Sequence, residues 1–358
     1  MKILILGGTG AMGKALVTEL SHNKDNSVYV TSRSPRESFD NVTYIQGNAQ
    51  EDPFLETLLK SHYDAIIDFM IYPTEKFKNR YQSFLKATEQ YIFLSSARVY
   101  APSDDHITEN SPRLLDVCTD REYLQTDEYA LAKAREEDIL SRSAYHNYTI
   151  VRPGLTYNDN RFQLAIWEKE EWLYRALRGQ KIVFPKALED IIATHNYGGD
   201  VSGAIARLIG NPKAFGETVH IAGAKPETWG RILSIYQEAI EKKTGRKINV
   251  YYADDLDELS VHFNRIYQTR YARGISRQYD NSKLESMIGR LDFVTPQEGL
   301  TKCMNSFLDN AQIPDTLDWI FEAYLDRLSG DIQSLSGFPG KKNKLRYLAA
   351  RFTDHYWK

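Results

Sequence analysis

The chain has 358 residues, 42% hydrophobic and 26% charged, with a formal net charge of −3. That length suggests one large α/β unit or two domains sharing a cleft, and the small charge gives no general attraction to nucleic acid or anionic membrane. No apolar run approaches the roughly 20 residues of a membrane-spanning helix, and two cysteines, Cys118 and Cys303, build neither a disulfide framework nor a CxxC-type metal site. Apolar strand residues begin at Ile3, which leaves no room for a signal or transit peptide, so a reducing cytoplasm is the expected location.

In chain order, short apolar runs alternate with amphipathic stretches, the pattern of a parallel sheet covered by helices on both faces. Strands are expected at 2–6, 27–31, 42–45, 65–69, 91–94 and 148–151, with helices at 11–20, 53–61, 74–88 and 127–141. After Pro153 the alternation fades. A long helix is expected over 161–178, strands near 182–184, 218–221 and 248–252, and a tail from Pro314 with helical patterning at 317–328 and a basic stretch at 341–351. The expected fold is a Rossmann-type doubly wound parallel sheet with a smaller C-terminal α+β lobe. Its divisions are a dinucleotide-binding domain over 1–153 with returning segments near 190–222, a substrate lobe over 154–312, and a helical extension over 313–358.

Gly7, Gly10 and Gly13 follow the first strand and open the first helix. Glycines at this spacing permit a tight turn, close backbone approach to a pyrophosphate and close helix–strand contact, while the helix N-terminus favours the phosphate's charge. The triplet alone is weak; between an apolar strand and a helix pattern it is strong. The second strand ends Val30-Thr31-Ser32-Arg33 without the carboxylate that would bind NAD ribose hydroxyls. A hydroxyl and a guanidinium suit a 2′-phosphate instead, so NADP(H) is favoured and NAD(H) stays possible; a solvated Arg33 stacked on adenine is the plainer alternative.

Tyr129 and Lys133 lie four residues apart, on one helical face. A nearby cation favours phenolate and makes the phenol a usable proton donor or acceptor for a carbinol/carbonyl pair. Tyr72/Lys76 and Tyr279/Lys283 share the spacing in a chain of 23 tyrosines, but only Tyr129 falls on a helix between the fifth and sixth strands. Ser96, at the C-terminal end of the fifth strand, faces the side where ligands bind in open α/β sheets, and can polarise a substrate carbonyl or simply cap the strand end. No histidine spacing supports a metal site; His195 reads as structural, and Trp167, Trp172 and Tyr174 as core or interface.

These residues resemble the short-chain dehydrogenase/reductase superfamily, specifically its extended branch, the NAD-dependent epimerase/dehydratase family acting on nucleotide sugars. The glycine loop, the Ser-Ser-Ala-x-Val-Tyr strand end at 95–100, Tyr129-x-x-x-Lys133 and Val151-Arg152-Pro153 carry the resemblance, which continues more weakly through Asp200-Val201 and 216–221 to about residue 308. It implies a nicotinamide cofactor, a catalytic set of Ser96, Tyr129 and Lys133, and a homodimer formed through the helix bearing Tyr129. Candidate cofactor contacts are Gly7, Thr9, Gly10, Met12, Gly13, Ser32, Arg33, Asn48, Phe69, Met70, Tyr129, Lys133 and Pro153; candidate substrate contacts are Arg98 and Tyr100.

The chain departs from the family pattern in several places. Ala97 and Arg98 stand where the 4,6-dehydratases carry acidic residues; Ala193 replaces a diphosphate-gripping arginine, and Leu155 a substrate-binding asparagine. Another cation, Arg98 or one of Arg265, Arg270, Arg273 and Arg277, can take the phosphate instead. The expected activity is that of an NADP(H)-dependent keto-sugar reductase or dehydrogenase, with an epimerase retaining its cofactor as the alternative. The short connection from the fourth to the fifth strand resembles a branch containing chloroplast stem-loop-binding proteins, and keeps open a non-catalytic dinucleotide- or RNA-binding role.

Overall fold

The computed structural model describes residues 1–353 except 224, 312, 314 and 315. Pro314, where the tail was expected to begin, and residues 354–358 therefore lie outside the described residues. The chain divides into two compact units, one of Met1–Asn158, Ile192–Glu227 and Arg270–Gly299, the other of Asp159–Ile191, Thr228–Thr269 and Leu300–Lys358.

The first unit is built on seven strands: β1 (Lys2–Leu6), β2 (Ser27–Ser32), β3 (Val42–Gln46), β4 (Tyr63–Asp68), β5 (Thr88–Leu94), β6 (Tyr148–Pro153) and β7 (Glu217–Ile221). Their order is β7-β6-β5-β4-β1-β2-β3, and every pairing is parallel. Helices α1 (Ala11–Ser21), α2 (Asp52–Leu58), α3 (Thr74–Lys86), α4 (Tyr129–Ser141) and α5 (Gly198–Leu208) cover the sheet. This is the expected Rossmann-type architecture. The crossover falls between β1 and β4, where parallel sheets bind ligands beyond the carboxyl ends of their strands.

Strand alternation explains why Ile3-Leu4-Ile5-Leu6 is apolar throughout. Ile3 and Ile5 pack with Leu16, Val17, Val201 and Ile205 of α1 and α5. Leu4 and Leu6 join Leu55, Phe77, Phe84 and Leu140 of α2, α3 and α4 on the opposite face. A strand buried on both sides has no polar positions to spare.

In the second unit the expected helix over 161–178 is shorter, running only from Lys169 to Leu177. Glu168 and Glu171 form a reciprocal capping pair that starts it, while Leu164 and Trp167 exchange backbone hydrogen bonds and Ala165 takes a left-handed φ of 52°. Trp167 thus lies before the helix rather than on it. The strands Ile182–Pro185 and Val250–Ala253 pair in parallel. The C-terminal helices Trp319–Ser329 and Gly340–Phe352 share a core of Ala323, Phe338, Tyr347 and Ala350. Arg175, fully buried, forms ion pairs with Glu322 and Asp326, which fixes that helical pair to the helix Lys169–Leu177.

Candidate active site

The β1–α1 turn has the shape of a phosphate cradle. Gly7 adopts φ 71°, a conformation that side chains rarely take, and its N–H donates to Thr31 Oγ1 at 3.0 Å. A Cβ on Gly13 would lie 2.6 Å from the backbone of Gly8, so loop and helix approach as closely as two glycines allow. Gly8, absent from the expected set, is therefore as necessary as Gly13: a Cβ on it would also meet Val30 at 2.7 Å. The first turn of α1 carries no acidic residue, which leaves its N-terminal field free for an anion. Met12 joins the sheet core, its carbonyl accepting from Ser202 Oγ at 2.8 Å, and Thr9 is half-buried.

At the end of β2, Ser32 is buried and its hydroxyl donates to Ser34 O at 2.8 Å while accepting from Arg36 Nε at 3.3 Å. Arg33 and Arg36 are both exposed, and Arg36 stands 5.9 Å from the centre of the Tyr44 ring. Arg36 was not among the expected residues; its signal is a second guanidinium three residues after the first. Asn48 Oδ1 accepts from the Gln50 N–H at 3.1 Å, and Phe69 N donates to Leu6 O at 3.0 Å. Pro153 ends β6, paired with Ile221.

Ser96, buried at the end of β5, caps the short turn Ala97–Val99, its Oγ accepting from Arg98 N at 3.2 Å. Ser95 turns the other way and donates to Glu137 Oε1 at 2.5 Å. Glu128 caps α4 through the Ala130 N–H at 2.8 Å, accepts from Tyr123 Oη at 3.1 Å, and pairs with Arg98. Tyr129 then opens the helix. It is half-buried, its hydroxyl has no hydrogen bond to a described residue, and the Arg98 guanidinium carbon lies 5.0 Å from its ring centre.

Lys133, one turn on, is buried. Its Nζ lies 3.0 Å from Glu136 Oε2, donates to Met70 O at 3.5 Å, and sits 4.4 Å from the centre of the Phe93 ring. No hydrogen bond joins Ser96, Tyr129 and Lys133 to one another among the described residues. Glu136 went unnoticed in the sequence. It is wholly buried, neither carboxylate oxygen has a directional hydrogen bond although Lys133 is in ionic range, and burial pushes its carboxyl up to about 7 against the lowering effect of Lys133. Asp68, at the end of β4, is a second buried carboxylate. It accepts from Tyr91 Oη at 2.8 Å, Tyr72 Oη at 3.4 Å and Met70 N at 2.9 Å, and burial raises it despite those bonds. Tyr72 is thereby committed to the interior.

Tyr100 is fully buried, its hydroxyl 3.1 Å from His220 Nδ1. Arg152 holds Glu137 with two bonds of 2.8 and 2.7 Å and lies 4.7 Å from the centre of the Tyr100 ring. His195 is buried with Nδ1 3.0 Å from Ala193 O, and burial pushes its imidazole down to about 3, so it stays neutral. Arg265 pairs with Glu171, and Arg270 is exposed.

Comparison with known proteins agrees with this geometry. Residues 7–182 match the family model described as NAD(P)H-binding. No curated protein matches the sequence. Among solved structures, an epimerase from Methanothermobacter thermautotrophicus aligns at 15% identity with a TM-score of 0.68, over 86% of this chain and 92% of that one. A UDP-glucuronic acid 4-epimerase from Bacillus cereus, in complex with UDP-glucuronic acid and NAD, aligns at 15% identity with a TM-score of 0.64, over 87% of this chain and 100% of that one. A dTDP-glucose 4,6-dehydratase from Bacillus anthracis in complex with NAD aligns at 16% identity with a TM-score of 0.65, over 87% and 97%. Residues 7–182 are thus similar to an NAD(P)H-binding domain, and the chain shares the Rossmann-type fold of these epimerase and dehydratase structures.

Proposed function

We propose that the protein is an NADP(H)-dependent oxidoreductase acting on the carbonyl or carbinol of a sugar or nucleotide sugar, with Tyr129 as its proton-transfer group. The observation that carries the reading is the phenol of Tyr129, half-buried and without a hydrogen-bond partner among the described residues, on a helix whose next turn buries a lysine.

The glycine cradle fits a dinucleotide: Gly8 and Gly13 approach without room for a side chain, and the space above Gly10 is open. Gly7, Gly10 and Gly13 would hold the pyrophosphate, Ser32, Arg33 and Arg36 the 2′-phosphate, and Lys133 the nicotinamide ribose. When bound there, the nicotinamide supplies or accepts the hydride. Tyr129 Oη gives a proton to the oxygen being reduced, or takes it from the carbinol being oxidised. Ser96 Oγ accepts the Arg98 N–H and donates to no described residue, so its own proton remains available to the same oxygen. Lys133 would keep its ammonium at the ribose, one turn along the helix from Tyr129. An epimerase retaining its cofactor would use the same groups.

Tyr129→Phe tests the reading. NADPH binding should persist while NADPH-dependent turnover of a keto-sugar panel falls by about 10²–10⁴-fold. Unchanged turnover in that variant would remove Tyr129 from the mechanism.

A further inference from the structure

The basic helix Gly340–Phe352 takes no part in the chemistry proposed above, and its outward face is unlike a solvated one. Its inner face carries Tyr347 and Ala350, both buried with Ala323 and Phe338. On the opposite side, at helical spacing, stand Lys341, Lys342, Leu345, Ala349 and Phe352. Leu345, 68% exposed, is the most exposed large hydrophobic side chain among the described residues, and Phe352 is 60% exposed. Ile332 is exposed too, and it follows Asp331, whose carbonyl accepts from Arg351 Nε at 2.8 Å at the Phe352 end of the helix.

Charge surrounds this apolar stripe. The helix carries five cations and no carboxylate, in a chain whose formal net charge is −3. Lys344 and Arg351 flank the stripe on one side and Arg346 on the other. The carboxylates of Asp326 and Asp331, which lie beside the helix, are taken by Arg175 and Lys181. An apolar centre edged by long cations suits the boundary of an anionic bilayer. Leucine and phenylalanine enter the acyl region there, while lysine and arginine stems carry their charges out to the lipid phosphates. A nucleic acid would instead press its phosphates on an aliphatic centre that offers no donor. A second copy docked by two-fold symmetry would set the same cations against one another.

We propose that the helix Gly340–Phe352 is a docking surface for an anionic lipid membrane, lying in the plane of the interface with Leu345 and Phe352 inserted and the surrounding cations at the headgroups. No helix among the described residues is long and apolar enough to cross a membrane, so the contact is peripheral. The small net charge of the chain does not oppose it, because the attraction acts over about one Debye length, roughly 8–10 Å, and only the helix comes that close. The inference stands independently of the function proposed for Tyr129.

Co-sedimentation of the full chain with vesicles tests the surface. At low salt, vesicles of equal parts phosphatidylglycerol and phosphatidylcholine should bind it about tenfold or more tighter than phosphatidylcholine alone, and added salt should narrow the gap. The double variant Leu345→Ser/Phe352→Ser, and separately Lys341→Gln/Lys342→Gln, should each weaken binding about tenfold. Both should keep the wild-type melting midpoint, since all four side chains are exposed. Absence of wild-type binding to the anionic vesicles overturns the proposal. Equal binding by wild type and the serine variant also overturns it, because charge alone would then adsorb the protein without insertion; equal binding to both vesicle types does so too, because charge would then play no part. A concentration-dependent dimer that the serine substitutions abolish, found in place of vesicle binding, assigns the face to a second copy. RNA held equally by wild type and serine variant but released by the glutamine substitutions, again without vesicle binding, assigns it to nucleic acid.

Discussion

Lys133 Nζ lies 3.0 Å from Glu136 Oε2, with both side chains sealed from solvent, and this contact takes the place expected of a Tyr129–Lys133 pair. One lysine faces two buried carboxylates, since Asp68 acts on it as well. Burial pushes the carboxyl of Glu136 up to about 7, with Lys133 opposing the rise and Asp68 adding to it.

A carboxyl raised on folding contributes stability that is full below its unfolded value, near 4.5, and lost as pH rises through about 7. Glu136→Gln removes that titration. The melting midpoint of the variant relative to wild type should therefore climb between pH 5 and pH 8, by an amount corresponding to a few kcal/mol. A difference between the two proteins that stays flat across this range would show that Glu136 is ionised throughout.

Gly13→Ala would place a methyl group 2.6 Å from the backbone of Gly8. The expected cost is about 1–3 kcal/mol of stability together with loss of dinucleotide binding. Gly203, on α5 with nothing within 4 Å of a built Cβ, is the control. Alanine there should stabilise by about 0.5–1 kcal/mol. Fluorescence titration with NADPH and a thermal melt read both variants.

Arg33→Ala and Arg36→Ala should each weaken NADPH about tenfold, the equivalent of 1.4 kcal/mol for a charge-assisted contact, and leave NADH nearly unchanged. Equal losses for the two dinucleotides would mean that neither arginine reads the 2′-phosphate.

Arg152→Leu strands Glu137, which Arg152 grips with bonds of 2.8 and 2.7 Å in the buried layer behind α4. Breaking one side of such a pair costs about 3–5 kcal/mol. Arg113, 3.2 Å from Glu137, should hold the variant toward the lower figure. The urea midpoint measures it, and a midpoint equal to wild type would show that Arg113 alone neutralises the carboxylate.

What was legible in the sequence is what depends on local pattern. The continuous apolar run of β1 and the glycine spacing after it gave the sheet and the cradle, because a doubly buried strand and a backbone-to-backbone approach each permit few residue types. The segment before Lys169 is not helix as expected, since the residue pattern over 161–178 carries no information about Ala165, whose φ is left-handed, or about the capping carboxylates that delay the helix start. Glu136 was opaque for another reason. Its meaning lies in its burial and in the Asp68 carboxylate that β4 brings near it, neither of which the local pattern around residue 136 carries.

The ion pairs from Arg175 to Glu322 and Asp326 make the last stretch of chain a structural necessity rather than an appendage. A protein cut short before residue 319 would lose both counter-ions of a guanidinium that is 0% exposed in the intact chain, along with the helices packed over it, and would open the core of its second unit. Shortening the chain to tidy its terminus would therefore remove a keystone.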